Sequence, residues 1–335
     1  MTEPHRAALI LNPRSGGNNR KGRALAEQLR ALAGVDVKAD ISVHVLEDFP
    51  QLFDILKQEA ARETKALFIS AGDGTVQATQ TWLAENLSPE TLPMIGILPH
   101  GSTNMTAAEL GLSLKDIGEQ ARYIASAAWS REETPRIIRP SLKVENPAGS
   151  GPQHGMFLGG GAIAAGTLYC QEAFNRKGVR GNTLAPALTL LRAAGKALFA
   201  GPAAPEEEDR LDRPWPMRVI ADGEPVGDGL HIALLVSTLK RLVFGARPFV
   251  ETDHEEALRF SLFRHPPPSL LRWLPVIIWA RKRPERLPPG MISRPVTRLE
   301  VKTSAPFVID GEKLMPPEDE PLRISLGPAF TFLRG

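Results

Sequence analysis

The first third of the chain alternates between short apolar runs and stretches in which apolar residues recur at helical spacing. In the first such stretch, residues 21–33, Leu25, Leu29 and Leu32 recur every three or four positions, which is typical of one face of an α-helix. Four apolar runs of strand length lie at residues 7–11, 41–46, 66–70 and 94–98, and each precedes a stretch with helical spacing. Repeated strand–helix units predict an open α/β sheet with parallel strands.

The pattern changes from about Pro135, where short β-type runs are separated by glycine, proline and aspartate. The runs lie at residues 142–145, 218–220, 232–236, 258–263, 298–301 and 307–309. Such runs predict an antiparallel β domain. We therefore predict an α/β domain over residues 1–134, an antiparallel β domain over residues 135–326, and a tail over residues 327–335 that returns to the first domain.

Two segments of the second half do not follow the β pattern. Leucines at helical spacing predict a helix within residues 184–198. Residues 265–290 combine Trp273 and Trp279 with aliphatic and basic residues. Tryptophan with cationic flanks is typical of a helix at a membrane interface. A core helix with a solvated basic end explains the same pattern, so both interpretations stay open.

Composition excludes some partners and favours one compartment. A formal net charge of +2 argues against a general nucleic-acid binder. The single cysteine, Cys170, cannot form an internal disulfide, which favours a reducing cytoplasm. The apolar run at residues 7–11 is too short for a signal peptide, and we expect no segment to span a bilayer.

Glycine-rich loops follow three of the predicted strands. They are the loops at residues 12–22, 71–75 and 99–104. In an open α/β sheet, loops at the carboxyl ends of the strands meet at one edge and bind ligands there. Glycine lets backbone N–H groups approach phosphate oxygens, and a following helix adds its positive N-terminus. The loops match neither GxxxxGK[ST] nor GxGxxG, yet together they predict a polyphosphate site.

Other polar residues have a structural and a functional interpretation. Asp222-Gly223-Glu224 is predicted to be a hairpin turn, and only its flanking residues distinguish Asp310-Gly311-Glu312 from it. His100, in a turn, could contact phosphate, but exposure to solvent is the expected case; His44, in an apolar strand, is expected to be structural.

The three loops resemble the NPxSG, GGDGT and LPxGTxN motifs of the diacylglycerol kinase catalytic-domain family, which includes bacterial lipid kinases, sphingosine kinases and ceramide kinases. The matching segments are Asn12-Pro13-Arg14-Ser15-Gly16-Gly17, Ala71-Gly72-Asp73-Gly74-Thr75 and Leu98-Pro99-His100-Gly101-Ser102-Thr103-Asn104. Residues 307–312 and 321–325 resemble the late DGE segment of the family, so the resemblance extends over nearly the whole chain in order.

The resemblance implies an α/β nucleotide domain followed by a β-sandwich lipid-substrate domain, with ATP and Mg²⁺ bound in the cleft and a lipid hydroxyl phosphorylated. Asp73 and Glu312 would be the catalytic carboxylates, with Glu312 the candidate base and Asp73 oriented toward Mg²⁺, nucleotide or acceptor hydroxyl. The residues that would contact ATP are Asn12, Arg14, Ser15, Gly16, Gly17, Asn18, Gly72, Gly74, Thr75, Val76, Gln77, Gly101, Ser102 and Asn104.

The chain departs from the family pattern at Ala71, which replaces a glycine, and at Ala78 and Met105, which replace carboxylates. No clear match to the family's NDG metal segment occurs around residues 252–257. The third loop, without an acid after Asn104, resembles that of sphingosine and ceramide kinases, which favours a sphingoid lipid or ceramide over diacylglycerol. The prediction is a lipid kinase peripheral to the cytoplasmic membrane face, with residues 265–290 as the candidate membrane contact. An NAD kinase and an inactive nucleotide- or lipid-binding protein are the alternatives.

Overall fold

The structure, a computed structural model, describes most of the chain in two units. The described residues are 5–15, 19–32, 38–101, 104–177, 203–207, 210, 213–254, 256–265 and 270–335. Unit 1 consists of Met1–Pro140 and Pro328–Gly335, and unit 2 consists of Ser141–Gly327. The chain passes from unit 1 to unit 2 within the strand at residues 136–144 and returns to unit 1 within the strand at residues 322–333.

Strands and helices alternate along unit 1, as the sequence pattern predicts. Its strands are β1 (His5–Leu11), β2 (Ala39–Val45), β3 (Ala66–Ala71) and β4 (Met94–Pro99). Its helices are α1 (Arg20–Leu32), α2 (Gln51–Ala61), α3 (Asp73–Asn86), α4 (Met105–Leu110) and α5 (Ile117–Ala125). The predicted α/β class is confirmed.

The sheet of unit 1 is parallel, in the order β2-β1-β3-β4, and the end of strand β15 (Leu322–Leu333) adds to β4 through Phe332 and Ile95. β1 and β3 are almost wholly buried, because helices cover the sheet, and their sequences are continuous apolar runs for this reason. Trp129 is fully buried beside Phe68, with ring centroids 6.2 Å apart. Crossovers between parallel strands bring the three glycine loops to one edge.

Unit 2 is built mainly of antiparallel strands, which confirms the second half of the predicted fold class. Its strands are β5 (Arg136–Val144), β6 (Gln153–Gly155), β7 (Phe157–Gly161), β8 (Trp215–Ala221), β9 (Glu224–Ser237), β10 (Leu258–Arg264), β11 (Met291–Val296), β12 (Arg298–Lys302), β13 (Phe307–Ile309), β14 (Glu312–Leu314) and the first part of β15. The main strand order is β14-β13-β7-β9-β8-β12-β15, with β10 and β11 added at β9, and β5 and β6 at β15.

Strand β7 is a feature that the sequence pattern misses, because its last three residues are glycines. A methyl group at Gly159 would lie 2.4 Å from Cγ2 of Ile163, and one at Gly160 would lie 2.6 Å from the ring of Phe307. The glycines therefore make room for neighbouring side chains in the core of unit 2.

Two helices of unit 2 lie in the described residues, α6 (Ala162–Lys177) and α7 (Leu270–Trp279). The sequence pattern does not predict α6, and the helix predicted within residues 184–198 lies outside the described residues. α7 falls inside the segment 265–290. Among the described helices, none combines the length and the apolar character that crossing a membrane requires.

Candidate functional site

The first glycine loop is tied to the second by a side-chain hydrogen bond. Asn12, directly after β1, donates from Nδ2 to Oγ1 of Thr75 over 3.1 Å and accepts the N–H of Arg14 at 3.0 Å. Its backbone N–H donates to the carbonyl of Ser70 at the end of β3. The ends of β1 and β3 thus place the loop after Asn12 against the first turn of α3.

The second and third loops meet through glycine backbones. A methyl group on Gly101 would lie 2.5 Å from Cα of Gly72 and 3.0 Å from the carbonyl oxygen of Ala71. Asn104 closes the third loop, because its Oδ1 accepts the N–H of Gly101 at 2.8 Å and its Nδ2 donates to the carbonyl of Gly101 at 2.7 Å. Asn104 itself is left-handed, with φ of 51°, a conformation that asparagine tolerates well. All three loops therefore converge.

Asp73 links the second loop to the helix that follows the third. Its Oδ2 accepts the N–H of Met105 and its Oδ1 accepts the N–H of Thr106, both at 3.1 Å. A carboxylate at the N-terminus of α4 satisfies N–H groups that have no partner inside the helix. Burial raises the pKa of Asp73, and the two backbone N–H groups oppose this shift. The carboxylate is thus held in place and has more affinity for a proton than an exposed aspartate.

His100 does not have the environment that the sequence predicts. The sequence predicts an exposed turn histidine, but the side chain is buried and its Nδ1 lies 2.9 Å from Oγ of Ser70. Burial, together with the positive charge of Lys21, lowers the pKa of His100 to about 4. The imidazole is therefore neutral at pH 7 and packs the third loop against the end of β3. A turn position next to proline gave no sign of this contact.

Asn19 is a residue of this site that the sequence analysis did not single out. It is buried and donates from Nδ2 to the carbonyl of Ser70 at 2.9 Å and to Oγ of Ser70 at 3.0 Å. Its Oδ1 accepts the N–H of Gly22 at 2.8 Å in the first turn of α1. Asparagine directly before a helical pattern is a capping signal that could have identified it.

Basic side chains border the converging loops. An open depression of about 350 Å³ is lined by Asn19, Arg20, Lys21, Pro99, His100, Gly101 and Asn104. Arg20 and Lys21 are exposed at the start of α1, where the basic loop sequence 12–22 offered the only signal for them. This side of unit 1 therefore combines glycine backbone with two cations, which suits an anionic ligand.

The remaining predicted ATP-contact residues of unit 1 lie at the loops or in α3. Arg14 is exposed, Ser15 is half-buried, and Gly72 precedes α3. Thr75, Val76 and Gln77 are buried within α3, where the N–H groups of Thr75 and Val76 donate to the carbonyl of Gly72. By helix geometry, the N–H groups of Asp73 and Gly74 face the open N-terminus. Gly16, Gly17, Asn18 and Ser102 lie outside the described residues.

The two Asp-Gly turns of unit 2 share one backbone shape and differ in burial. Asp222 and Gly223 join β8 to β9, and Asp310 and Gly311 join β13 to β14, all with positive φ as in a hairpin turn. The hairpin predicted at residues 222–224 is confirmed. Asp310 is buried and accepts the N–H groups of Met156 at 2.8 Å and Phe157 at 3.0 Å. Glu312 is exposed at the start of β14.

The donor set can be tested against ATP and Mg²⁺. A methyl group at Gly101 would strike the backbone of Gly72 and Ala71, and this close approach of glycine backbone suits phosphate, with Arg20 and Lys21 beside it. Within the described part of the chain there is no group of three or more His, Cys, Asp or Glu residues placed to hold a metal. Mg²⁺ bound with ATP usually needs one or two carboxylates plus phosphate oxygens. One carboxylate, Asp73, lies in this loop cluster, so the residues fit nucleotide-bound Mg²⁺.

Fold and loops together define a class. A parallel α/β unit with three glycine loops at one edge is a phosphate-binding architecture. Residues 6–134 match the family model described as diacylglycerol kinase catalytic domain. This confirms the resemblance drawn from the motifs over that part of the chain and supports a kinase. No curated protein matches the sequence.

Solved structures show the same fold over the whole chain. A diacylglycerol kinase from Bacillus anthracis str. Sterne is 15% identical with a TM-score of 0.62, and 100% of this chain and 98% of that chain are covered. A putative diacylglycerol kinase from the same organism is 16% identical with a TM-score of 0.66, and the coverage is 100% and 99%. Yeast NADH kinase complexed with NADH is 10% identical with a TM-score of 0.50, covering 100% of this chain and 84% of that chain.

Proposed function

We propose that the protein is an ATP-dependent lipid kinase that transfers the γ-phosphoryl group of ATP to a lipid hydroxyl. The observation that carries the proposal is the convergence of the three glycine loops, which Asn12, Gly72 and Asn104 hold together next to two exposed cations. Backbone N–H groups, Arg20 and Lys21 would bind the phosphates. Mg²⁺, when bound with ATP, would neutralise phosphate charge.

The reaction requires positioning and a proton acceptor. The lipid hydroxyl oxygen forms a bond to the γ-phosphorus, the bond from that phosphorus to the β-phosphate oxygen breaks, and ADP leaves. The hydroxyl proton passes to a carboxylate. Asp73 suits this role because burial raises its pKa and two N–H groups fix its orientation. Glu312 remains the second candidate, supported by its motif and its exposure.

The acceptor is proposed from the third loop. Met105 stands where an acid follows the asparagine in many relatives, and its N–H is bound by Asp73. Ala78, the other missing carboxylate, is buried in α3. The third loop lacks that acid, which supports a sphingoid base or ceramide as acceptor, with diacylglycerol as the competing lipid.

Labelled ATP and a panel of diacylglycerol, monoacylglycerol, sphingosine and ceramide in detergent micelles test activity and acceptor together. We expect one lipid to be labelled. NAD is included as an acceptor because of the fold shared with yeast NADH kinase. Labelling of NAD alone would replace the lipid-kinase proposal with an NAD kinase, and ATP binding without any labelling would support an inactive binding protein.

Asp73→Asn tests the carboxylate, and Asp116→Asn is a matched control. Asp116 also caps a helix, since its Oδ1 accepts the N–H of Glu119 at 3.0 Å at the start of α5, but it is exposed. Loss of a general base lowers turnover by about 10²–10⁴-fold. We expect that loss for Asp73→Asn and no change for Asp116→Asn. Wild-type turnover in Asp73→Asn would remove Asp73 from the chemistry.

A further inference from the structure

A basic depression lies next to the end of α7 in unit 2. It measures about 340 Å³ and is lined by Arg281, Arg283, Glu285 and Arg286. Trp279, the last residue of α7, is 57% exposed, which is unusual for so large an apolar side chain. Val276, Ile277 and Ile278 before it are half-buried. An exposed tryptophan thus stands beside a group of arginines.

The backbone beneath this depression is fixed by a buried lysine. Lys282 is 1% exposed, and its Nζ donates to the carbonyls of Arg247 at 2.6 Å and Ala280 at 3.0 Å. Burial lowers the pKa of Lys282 to about 8, and Glu251 opposes this shift. Lys282 also forms a β-bridge with Val250. Because side chains alternate along extended chain, the inward Lys282 directs its neighbours Arg281 and Arg283 outward.

Positive charge in this region exceeds negative charge. Glu251 pairs with Arg281 at 3.4 Å and with Arg247 at 3.5 Å, so one carboxylate serves two guanidinium groups. Among the described residues, no carboxylate oxygen lies within 4.0 Å of a guanidinium nitrogen of Arg283 or Arg286. Glu285 is the one acid in the lining of the depression. The side chains of Arg283 and Arg286 are thus available to a soluble or membrane-bound anion.

We propose that this depression binds the phosphate of an anionic phospholipid head group and docks the protein on a lipid surface, with Trp279 entering the interface. Guanidinium groups bind phosphate by paired hydrogen bonds, and tryptophan favours the boundary between head groups and acyl chains. The inference rests on the proposed function only because a lipid kinase needs access to a membrane. The docking itself is independent of phosphoryl transfer.

Co-sedimentation with vesicles tests the docking. Wild-type protein should bind vesicles of phosphatidylcholine with phosphatidylglycerol and bind poorly to phosphatidylcholine alone. Each basic residue near an anionic surface contributes about 1 kcal/mol, which is about fivefold in affinity. The Arg283→Gln, Arg286→Gln double variant should therefore bind the anionic vesicles about 30-fold more weakly. Trp279→Ser should weaken binding to the same vesicles at both low and high salt.

A double variant elsewhere on unit 2 provides the control. Arg218 and Lys302 are exposed and lie opposite each other on the paired strands β8 and β12. Arg218→Gln with Lys302→Gln removes the same charge and should leave vesicle binding within twofold of wild type. Equal loss in both double variants would show general charge attraction and overturn the proposed site. Unchanged binding in the Arg283, Arg286 variant would overturn it too.

Two further measurements separate the possible failures. Inorganic phosphate, added at the phosphatidylglycerol concentration, should not displace the vesicles, and efficient displacement would mean a site for free phosphate. Phosphorylation of lipid in detergent micelles should be unchanged in the Arg283, Arg286 variant. If vesicle binding falls as expected while wild-type protein labels no lipid, the docking site stands and the proposed kinase activity is wrong.

Discussion

Replacing Gly101 by alanine tests whether the close contact between the second and third loops is required. The added methyl carbon would lie 2.5 Å from Cα of Gly72 and 3.0 Å from the carbonyl oxygen of Ala71. Carbon atoms normally meet at about 3.5–4.0 Å. The two loops must therefore separate by about 1 Å, and both sides of the contact are backbone, which cannot move away by rotating a side chain.

Two costs follow from that separation. Overpacking of this size costs about 1–3 kcal/mol of stability. It also disturbs the paired hydrogen bonds of 2.7 and 2.8 Å between Gly101 and Asn104. At about 2–4 °C per kcal/mol for a unit of this size, the unfolding temperature should fall by about 2–12 °C. A displacement of about 1 Å in a binding site can cost 10²-fold, so ATP affinity should fall at least tenfold.

Scanning calorimetry and titration with ATP measure both effects. Gly151→Ala is the control, because a methyl group there meets no atom within 4 Å. Its unfolding temperature and ATP affinity should match wild type. If Gly101→Ala also binds ATP and unfolds like wild type, the loops tolerate an extra methyl group, and their close approach is not what forms the proposed phosphate site.

Two buried carboxylates give further predictions. Burial would raise the pKa of Glu59, but hydrogen bonds from His44, Thr64, Ser42 and Arg62 lower it to about 2. The depression of this pKa from its ordinary 4.5 stabilises the folded state by about 3 kcal/mol. This stabilisation is fully present above pH 4.5 and is lost as the pH falls toward 2. Urea unfolding at pH 3 and 7 should show about 2 kcal/mol of this loss in wild type and in the exposed control Glu47→Gln, because pH 3 is still above the folded pKa, but not in Glu59→Gln; equal pH dependence in all three would contradict it. In Asp310 each carboxylate oxygen accepts one buried N–H, so Asp310→Asn puts a donor against one of these N–H groups and should lower the free energy of unfolding by about 1–3 kcal/mol in thermal unfolding. Asp222→Asn should cost little, because Oδ1 alone accepts the hydrogen bonds of Asp222 and is kept in asparagine. Equal losses in these two variants would show that burial of Asp310 is not decisive.

The sequence predicts the elements of unit 1 well because apolar runs of strand length alternate there with stretches in which apolar residues recur at helical spacing. Strand β3, for example, is a continuous apolar run followed by a glycine turn, and both features are local. Strand β7 and the buried state of His100 depend on distant partners. Phe307 covers Gly160 of β7 and Ser70 binds His100, and neither contact has a signal in the local sequence.

In the candidate site too, some features have a local sequence signal and others depend on distant partners. Glycine spacing and motif resemblance indicated which loops converge. They could not indicate that both oxygens of Asp73 bind N–H groups of α4, because that contact joins residues more than 30 positions apart. Arg20 and Lys21 are visible in the loop sequence, but their position beside the converging loops follows only from the placement of α1.

The sheet of unit 1 is completed only after the end of strand β15, the last part of the chain, has been synthesised. Phe330, Phe332 and Leu333 are fully buried, and Arg334 donates to the carbonyls of Glu109 and Gly111. These residues belong to unit 1, although residues 141–327 are made before them. At about 5–20 residues per second, the ribosome needs about ten to forty seconds for that interval. During this time the nascent sheet has an open edge at β4, where a chaperone or another chain can bind first.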